Sequence, residues 1–322
     1  MNVVGVGALN LDFIYQVDFA LFQNVEKGTE RRISLEEWED LQVLLKKKGK
    51  LMVKNGGGSA VNTIYTLARM GFSCGFVGKV GTDREGDFLL QELTEAGVDT
   101  SKIVREGKTG ICLILVDKNG ERTTFILPNT NDTFSLKDVE FDYIQSARIL
   151  HAASFLGEES FKTQKEIILR TGNLVSFDPG HPHVIRGWVE IFPLLKRTWV
   201  LFSTQKEIEI LTGLHYKQGV WKILDAGVKI VICKMGESGS WIVSKEENFF
   251  LPAEKVKVLD TTGAGDVYAA GFLAGLLKGL PLKCCGKIAT RAAGISVTDW
   301  GRKSYPGKEI LELALKVQKN GI

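Results

Sequence analysis

The sequence predicts an α/β fold: a three-layer α/β/α core around a central, mostly parallel sheet, with a smaller β-rich lid. Short β-branched runs alternate with amphipathic helical stretches through most of the 322 residues. That alternation is the pattern of a parallel sheet covered by helices on both faces. Two stretches, about 13–56 and 105–130, break it and are read as the lid.

Core strands are expected at 3–7, 75–77, 149–151, 174–178, 200–202 and 229–233. Helices are expected between them near 60–70, 86–96, 161–171, 206–211, 220–226, 267–277 and 282–297. In the lid, 109–116 and 122–127 flank Asp117-Lys118-Asn119-Gly120-Glu121 and read as a hairpin with an Asn-Gly turn. The first lid segment carries a helix. Ser34 can cap it while Glu37 returns the capping-box bond, and Leu35, Trp38, Leu41 and Leu45 form its apolar stripe. Lys46-Lys47-Lys48-Gly49 closes it favourably against the dipole.

The charge is nearly balanced, 41 basic against 38 acidic residues for a net +3. That is no footprint for nucleic acid or a membrane surface, and small anionic ligands stay open. Val3-Val4-Gly5-Val6 enters a strand at once without a basic, apolar leader. No apolar run reaches the ~18 residues that span a bilayer, so a cytoplasmic protein is expected. The five cysteines (Cys74, Cys112, Cys233, Cys284, Cys285) lack C-x-x-C spacing and read as reduced core residues.

The strongest chemical signal is Asp260-Thr261-Thr262-Gly263-Ala264-Gly265-Asp266, followed at once by a helical pattern. Small residues let backbone approach a ligand, and a helix start aims free N–H groups at it. A carboxylate where anions bind needs a task, such as accepting a proton from an attacking hydroxyl. A lone G-x-G-D would be a tight turn with a helix cap; seven consecutive fitting residues favour the anion site. Gly5-x-Gly7 lacks the third dinucleotide glycine, replaced by Asn10, which disfavours a Rossmann dehydrogenase. His151 reads as structural, and His181 and His183 lack zinc-ligand spacing. Asp178 lies at a strand's carboxyl end, where α/β crevices form, and is read as either a turn residue or a contact for water or magnesium.

With these residues the chain resembles the ribokinase-like (PfkB) carbohydrate kinases, whose signature is D-T-x-G-A-G-D. Gly57-Gly58-Ser59-Ala60-Val61-Asn62 is similar to that family's G-G-x-x-x-N, and Gly7-Ala8-Leu9-Asn10-Leu11-Asp12 to its G-x-x-N-x-D. Val80-Gly81-Thr82-Asp83 and Gly236-Glu237-Ser238-Gly239 match in order, so the resemblance covers 1–322 as one domain. It implies ATP-dependent phosphorylation of an alcohol on a sugar or sugar-containing small molecule. Asp266 would be the base, and amides of Gly263, Ala264, Gly265 and Asp266 the anion hole. Asp12, Gly57, Gly58 and Asn62 would hold the acceptor's hydroxyls.

Lys234, Gly236 and Gly239 would lie against the nucleotide, with Lys234 where the family commonly has threonine. Glu207 would help hold Mg2+, and Thr204 stands where the family has asparagine. Asp260, Thr262, Ser296 and Gly301 resemble a monovalent-cation loop, which would suit K+. The lid helix resembles that of adenosine kinases, so a purine nucleoside is the alternative acceptor. Phe13, Tyr15 or Phe19 would then stack its base or be lid core. Monomer and homodimer through the lid are both compatible, and a catalytically idle sensor of the same fold is a further reading.

Overall fold

The structure is a computed structural model that describes residues 1–22, 25, 29–118 and 122–311. Its larger sheet runs, in spatial order, Asn248–Leu251, Ser240–Ser244, Ile230–Lys234, Thr198–Thr204, Leu174–Asp178, Ile149–Ala153, Val3–Val6, Cys74–Val80 and Val98–Asp99. Ile103–Arg105 also pairs along Cys74–Val80. Every neighbouring pair from Ile230–Lys234 onward is parallel, and only the hairpin at the other edge is antiparallel. All six expected core strands are present. The edge hairpin over 240–251 was not expected, because it breaks the strand–helix alternation from which the core was read.

The first strand shows how the layers form. Val3 packs into one apolar cluster with helices Ser59–Arg69, Ala264–Leu277 and Leu282–Ser296. Val4 and Val6 pack into the opposite cluster with Glu158–Arg170, Gln205–Thr212 and Tyr216–Asp225. Side chains alternate across a strand, so a run of valines buried on both faces sits in the middle of three layers.

The smaller sheet has the order Glu30–Arg32, Arg122–Leu127, Gly110–Val116, Asn10–Gln16, Lys50–Gly57. Gly110–Val116 and Arg122–Leu127 pair antiparallel as expected; the proposed Asn119-Gly120 turn lies outside the described residues. Helix Leu35–Lys48 has the expected capping box, with the Glu37 amide donating to Ser34 Oγ at 3.1 Å and the Ser34 amide to Glu37 Oε2 at 2.9 Å. Its Trp38 and Leu45 cover one sheet face, against Leu113, Leu115, Phe125 and Leu127. The opposite face carries Ile14, Cys112, Ile114 and Val116, packed with Trp300.

Candidate active site

Helix Ala264–Leu277 begins at Gly263, whose φ of 74° is left-handed. A side chain there would be strained, and its β-carbon would collide with the Tyr305 hydroxyl. Further along, β-carbons at Gly271 and Gly275 would stand 2.8 Å from Cα of Ala289 and of Cys285. The small-residue pattern therefore seats this helix against Leu282–Ser296 and fixes where its N-terminus points.

Of the four amides expected in the anion hole, Ala264 donates to the Thr261 carbonyl at 3.2 Å and Asp266 to that of Gly263 at 3.0 Å. The Gly263 and Gly265 amides have no hydrogen bond to another described residue. An anion at this loop would find those two N–H groups unengaged.

Asp266 lies in the first turn, and its Oδ2 accepts from Asn62 Nδ2 at 2.8 Å. Burial pushes its carboxyl up to about 7, with Asp178 adding to the rise; the Asn62 bond, Lys234 and Arg302 oppose it. A carboxyl so placed is half-ionised near neutrality, the range that suits a general base.

Asn62 lies on Ser59–Arg69, which starts at Gly58 with φ of 107°. A β-carbon at Gly58 would strike the Ala8 carbonyl, and one at Gly57 the Asp12 carboxylate. These glycines bring Asp12 and Asn62 to the junction of the two sheets. Asp12 is buried, its Oδ1 has no hydrogen-bond partner among the described residues, and burial pushes its carboxyl up to about 8. An orphaned buried carboxyl oxygen costs on the order of 1–3 kcal/mol, and an acceptor hydroxyl would relieve it.

Lys234 ends strand Ile230–Lys234, with Nζ 2.6 Å from Asp178 Oδ2. Burial alone would depress the ammonium; Asp178, with Glu207 and Asp266, outweighs it and lifts the lysine above its usual value. A β-carbon on Gly265 would stand 3.2 Å from this Nζ, so the cation flanks the anion loop. Gly236 has φ of 57° with open space beside it, whereas a β-carbon on Gly239 would hit the Leu251 carbonyl of the edge hairpin.

Thr204 caps helix Gln205–Thr212. Glu207 Oε2 accepts from the Thr204 amide at 2.7 Å and from Ser203 Oγ at 3.0 Å. One carboxylate oxygen of Glu207 is thus spent on the cap, and no hydrogen bond to the other is seen among the described residues. Asp260 accepts from the amides of Thr262 and Gly301, both at 2.9 Å. The Ser296 carbonyl accepts from Ser304 Oγ at 2.8 Å and the Thr262 carbonyl from the Tyr305 hydroxyl at 3.4 Å. Each carbonyl oxygen keeps a second lone pair, so these bonds do not bar a K+ ion.

Phe13, Tyr15 and Phe19 pack on the helix-covered side of the smaller sheet, Phe13 lying 5.8 Å from Trp38. They are lid core. Strand alternation already places Phe13 and Tyr15 opposite Asp12 and Ile14. His151 is a core residue bonded to Ser176 at 2.9 Å, and the His183 Nε2 accepts from the Phe155 amide. Asp178 is the partner of Lys234 rather than a turn residue.

Sequence reasoning missed Arg302 and Glu92. Arg302 is 4% exposed and donates through Nε and Nη2 to Asn62 Oδ1 at 3.0 and 2.9 Å, and through Nη1 to Glu92 Oε2 at 3.0 Å. Neither belongs to a motif. The sequence offered no signal for Arg302, which sits in Asp299-Trp300-Gly301-Arg302-Lys303 with a second basic residue directly after it.

A buried carboxyl, two loop amides without a partner among the described residues and a flanking lysine meet at one helix N-terminus. Residues 34–306 match the family model described as pfkB family carbohydrate kinase. An uncharacterized sugar kinase of Archaeoglobus fulgidus is 34% identical over 241 residues, 74% of this chain and 96% of that one. The crystal structure of ribokinase from Thermotoga maritima superposes with a TM-score of 0.79 at 28% identity, covering 98% of this chain and 99% of that one. Adenosine kinase from Sinorhizobium meliloti shares the fold with a TM-score of 0.86 at 24% identity, over 99% of each chain. The chain belongs to the PfkB family of carbohydrate kinases. It is an ATP-dependent phosphotransferase for an alcohol of a sugar or sugar-containing small molecule, and its fold is ribokinase-like.

Proposed function

We propose that Asp266 takes the proton of the acceptor hydroxyl as its oxygen attacks the γ-phosphorus of ATP, and that ADP leaves as the bond to the β-phosphate oxygen breaks. The observation that carries this reading is the Asp266 carboxyl, raised to about 7 beside the open amides of Gly263 and Gly265. Those amides and the Lys234 ammonium stabilise charge on the moving phosphoryl group. Magnesium, when bound, would neutralise the phosphates, and Glu207 would help hold it. Gly236 lets backbone lie against the adenosine. Gly239 serves the hairpin turn that shapes this edge.

Asp12 reads the acceptor: its unpartnered Oδ1 receives a hydroxyl. Asn62 contributes a donor only, because Arg302 occupies its oxygen. The smaller sheet acts as a lid that excludes water during transfer. A nucleoside acceptor is the second reading, favoured by the apolar cleft-side face of Ile14, Cys112, Ile114 and Val116 with Trp300. Trp300, rather than Phe13, Tyr15 or Phe19, would then meet the base. Leu35–Lys48 covers the opposite sheet face, which supports a monomer over a homodimer through the lid. No helix among the described residues is long and apolar enough to cross a membrane, which fits a cytoplasmic enzyme.

The test is ADP release with ATP, magnesium and adenosine, 2′-deoxyadenosine, ribose or fructose, in wild type and Asp266→Asn. The variant is expected to lose ~10²–10⁴-fold in turnover with ATP binding retained. More than half the wild-type rate would sink the assignment of the base.

A further inference from the structure

Asn62 is 5% exposed and joins two charged groups of opposite sign. Its Nδ2 donates to Asp266, and its Oδ1 accepts twice from Arg302. Arginine has donors only and an ionised carboxylate has acceptors only. One amide orientation satisfies both partners; the flipped one would set NH2 against guanidinium and carbonyl oxygen against carboxylate.

Arg302 is itself held. Its Nη1 meets Glu92 Oε2 at 3.0 Å, and its guanidinium lies 4.5 Å from the Tyr65 ring centre. The same Glu92 oxygen accepts from the Gly56 amide, in the lid strand Lys50–Gly57, at 2.7 Å. The chain Gly56–Glu92–Arg302–Asn62–Asp266 thus runs from the lid strand to the base without a break.

We propose that Arg302, anchored by Glu92, is a positioning residue for phosphoryl transfer, holding the Asn62 amide in the one orientation that donates to the Asp266 carboxylate. The inference rests on Asp266 being the base. Without Arg302 the amide can turn, and Asp266 loses both a fixed donor and a nearby cation. Its proton then binds more tightly. The other groups facing Asp266 are Asp178 and Lys234 from the larger sheet, Asp12 from the lid strand, and Tyr305 from the C-terminal loop. They remain in the variant, so the effect is a displacement of the titration rather than its loss.

The side-chain 15N resonance of Asn62, assigned by its disappearance in Asn62→Ala, reports the titration of Asp266 with no substrate needed. Asp266→Asn should abolish the pH dependence, which identifies the group being read. In Arg302→Met the midpoint should move up by about one pH unit. Turnover with the best acceptor of the panel should fall about tenfold, the KM for ATP staying within twofold. Glu92→Gln, which keeps the volume, should move the midpoint the same way by less, and it serves should Arg302→Met fail to fold. In an Asn62→Ala background, Arg302→Met should cost much less turnover than in wild type, since the link is already cut. A midpoint unchanged in both Arg302→Met and Glu92→Gln overturns the proposal, as does an undiminished turnover loss in the Asn62→Ala background. If instead Asp266→Asn keeps wild-type turnover, it is the assignment of the base that fails.

Discussion

Replacing Asp12 with asparagine should make the protein more stable at high pH while damaging the enzyme. Asp12 is 5% exposed, and burial carries its carboxyl from 3.8 to about 8. The folded state therefore holds a proton that the unfolded chain releases above about pH 4. Stability falls as pH rises from about 4 to about 8, because the native state binds the extra proton there. At about 1.4 kcal/mol per pH unit, the ceiling on this loss is about 4 kcal/mol at pH 7 and about 6 above pH 8. Asparagine cannot ionise, and its own buried amide still needs partners. A net gain of about 2 kcal/mol at pH 8, or roughly 4 °C in midpoint, is the expected outcome. The loss at pH 8 is about 5 kcal/mol, so a gain of about 2 implies a buried-amide cost of about 3; at pH 4, where wild type has lost only about 0.5 kcal/mol, Asp12→Asn should be about 2.5 kcal/mol the less stable. Asp266, raised to about 7, titrates in the same window, so some slope survives in the variant. Urea unfolding at pH 4, 6 and 8 measures the difference. Acceptor kcat/KM should drop at least about 100-fold, with the KM for ATP nearly constant. Equal pH slopes for wild type and Asp12→Asn would refute the claim that burial holds this carboxyl neutral.

In wild type, the acidic limb of acceptor kcat/KM should have its midpoint near 7, because Asp266 must lose its proton to act as base; a limb near pH 4 would contradict the burial argument. Lys234→Met should lower turnover and cost about 3–5 kcal/mol of stability by leaving Asp178 buried without its cation. Adding Asp178→Asn should restore stability and not turnover, and recovery of both would make Lys234 purely structural. Glu207→Gln keeps an oxygen for Ser203 Oγ and the Thr204 amide, so thermal stability should hold while the magnesium concentration for half-maximal rate rises. An unchanged magnesium titration removes Glu207 from the metal's surroundings.

What could be read from the sequence follows the range of the interactions. The Ser34–Glu37 box and the glycines around Asp266 act within a few residues, and both are where local chemistry puts them. The core strands were legible because burial on both faces leaves unbroken apolar runs. The hairpin over 240–251 was missed because a strand–helix rhythm was being followed where the sheet turns antiparallel. The faces of Phe13 and Tyr15 were legible from alternation with Asp12 and needed only that rule applied. Arg302 meets Asn62 across 240 positions of sequence, and Glu92 meets Arg302 across 210. No local pattern encodes such contacts; they exist only once the C-terminal loop has folded back over helix Ser59–Arg69.

The lid strand Asn10–Gln16 pairs in parallel with Gly110–Val116, and Asp266 lies in the first turn of Ala264–Leu277. A ribosome delivers the chain from the N-terminus, so the earliest lid strand waits for its partner through synthesis of the first core helices. Its unpaired edge, with Ile14 and Tyr15, is exposed for that interval to chaperones or to other nascent chains. Asp266 and Arg302 emerge later still. A stalled or truncated chain can thus hold a nearly complete sheet and be unable to transfer phosphate, so partial synthesis products should be inert rather than wasteful of ATP.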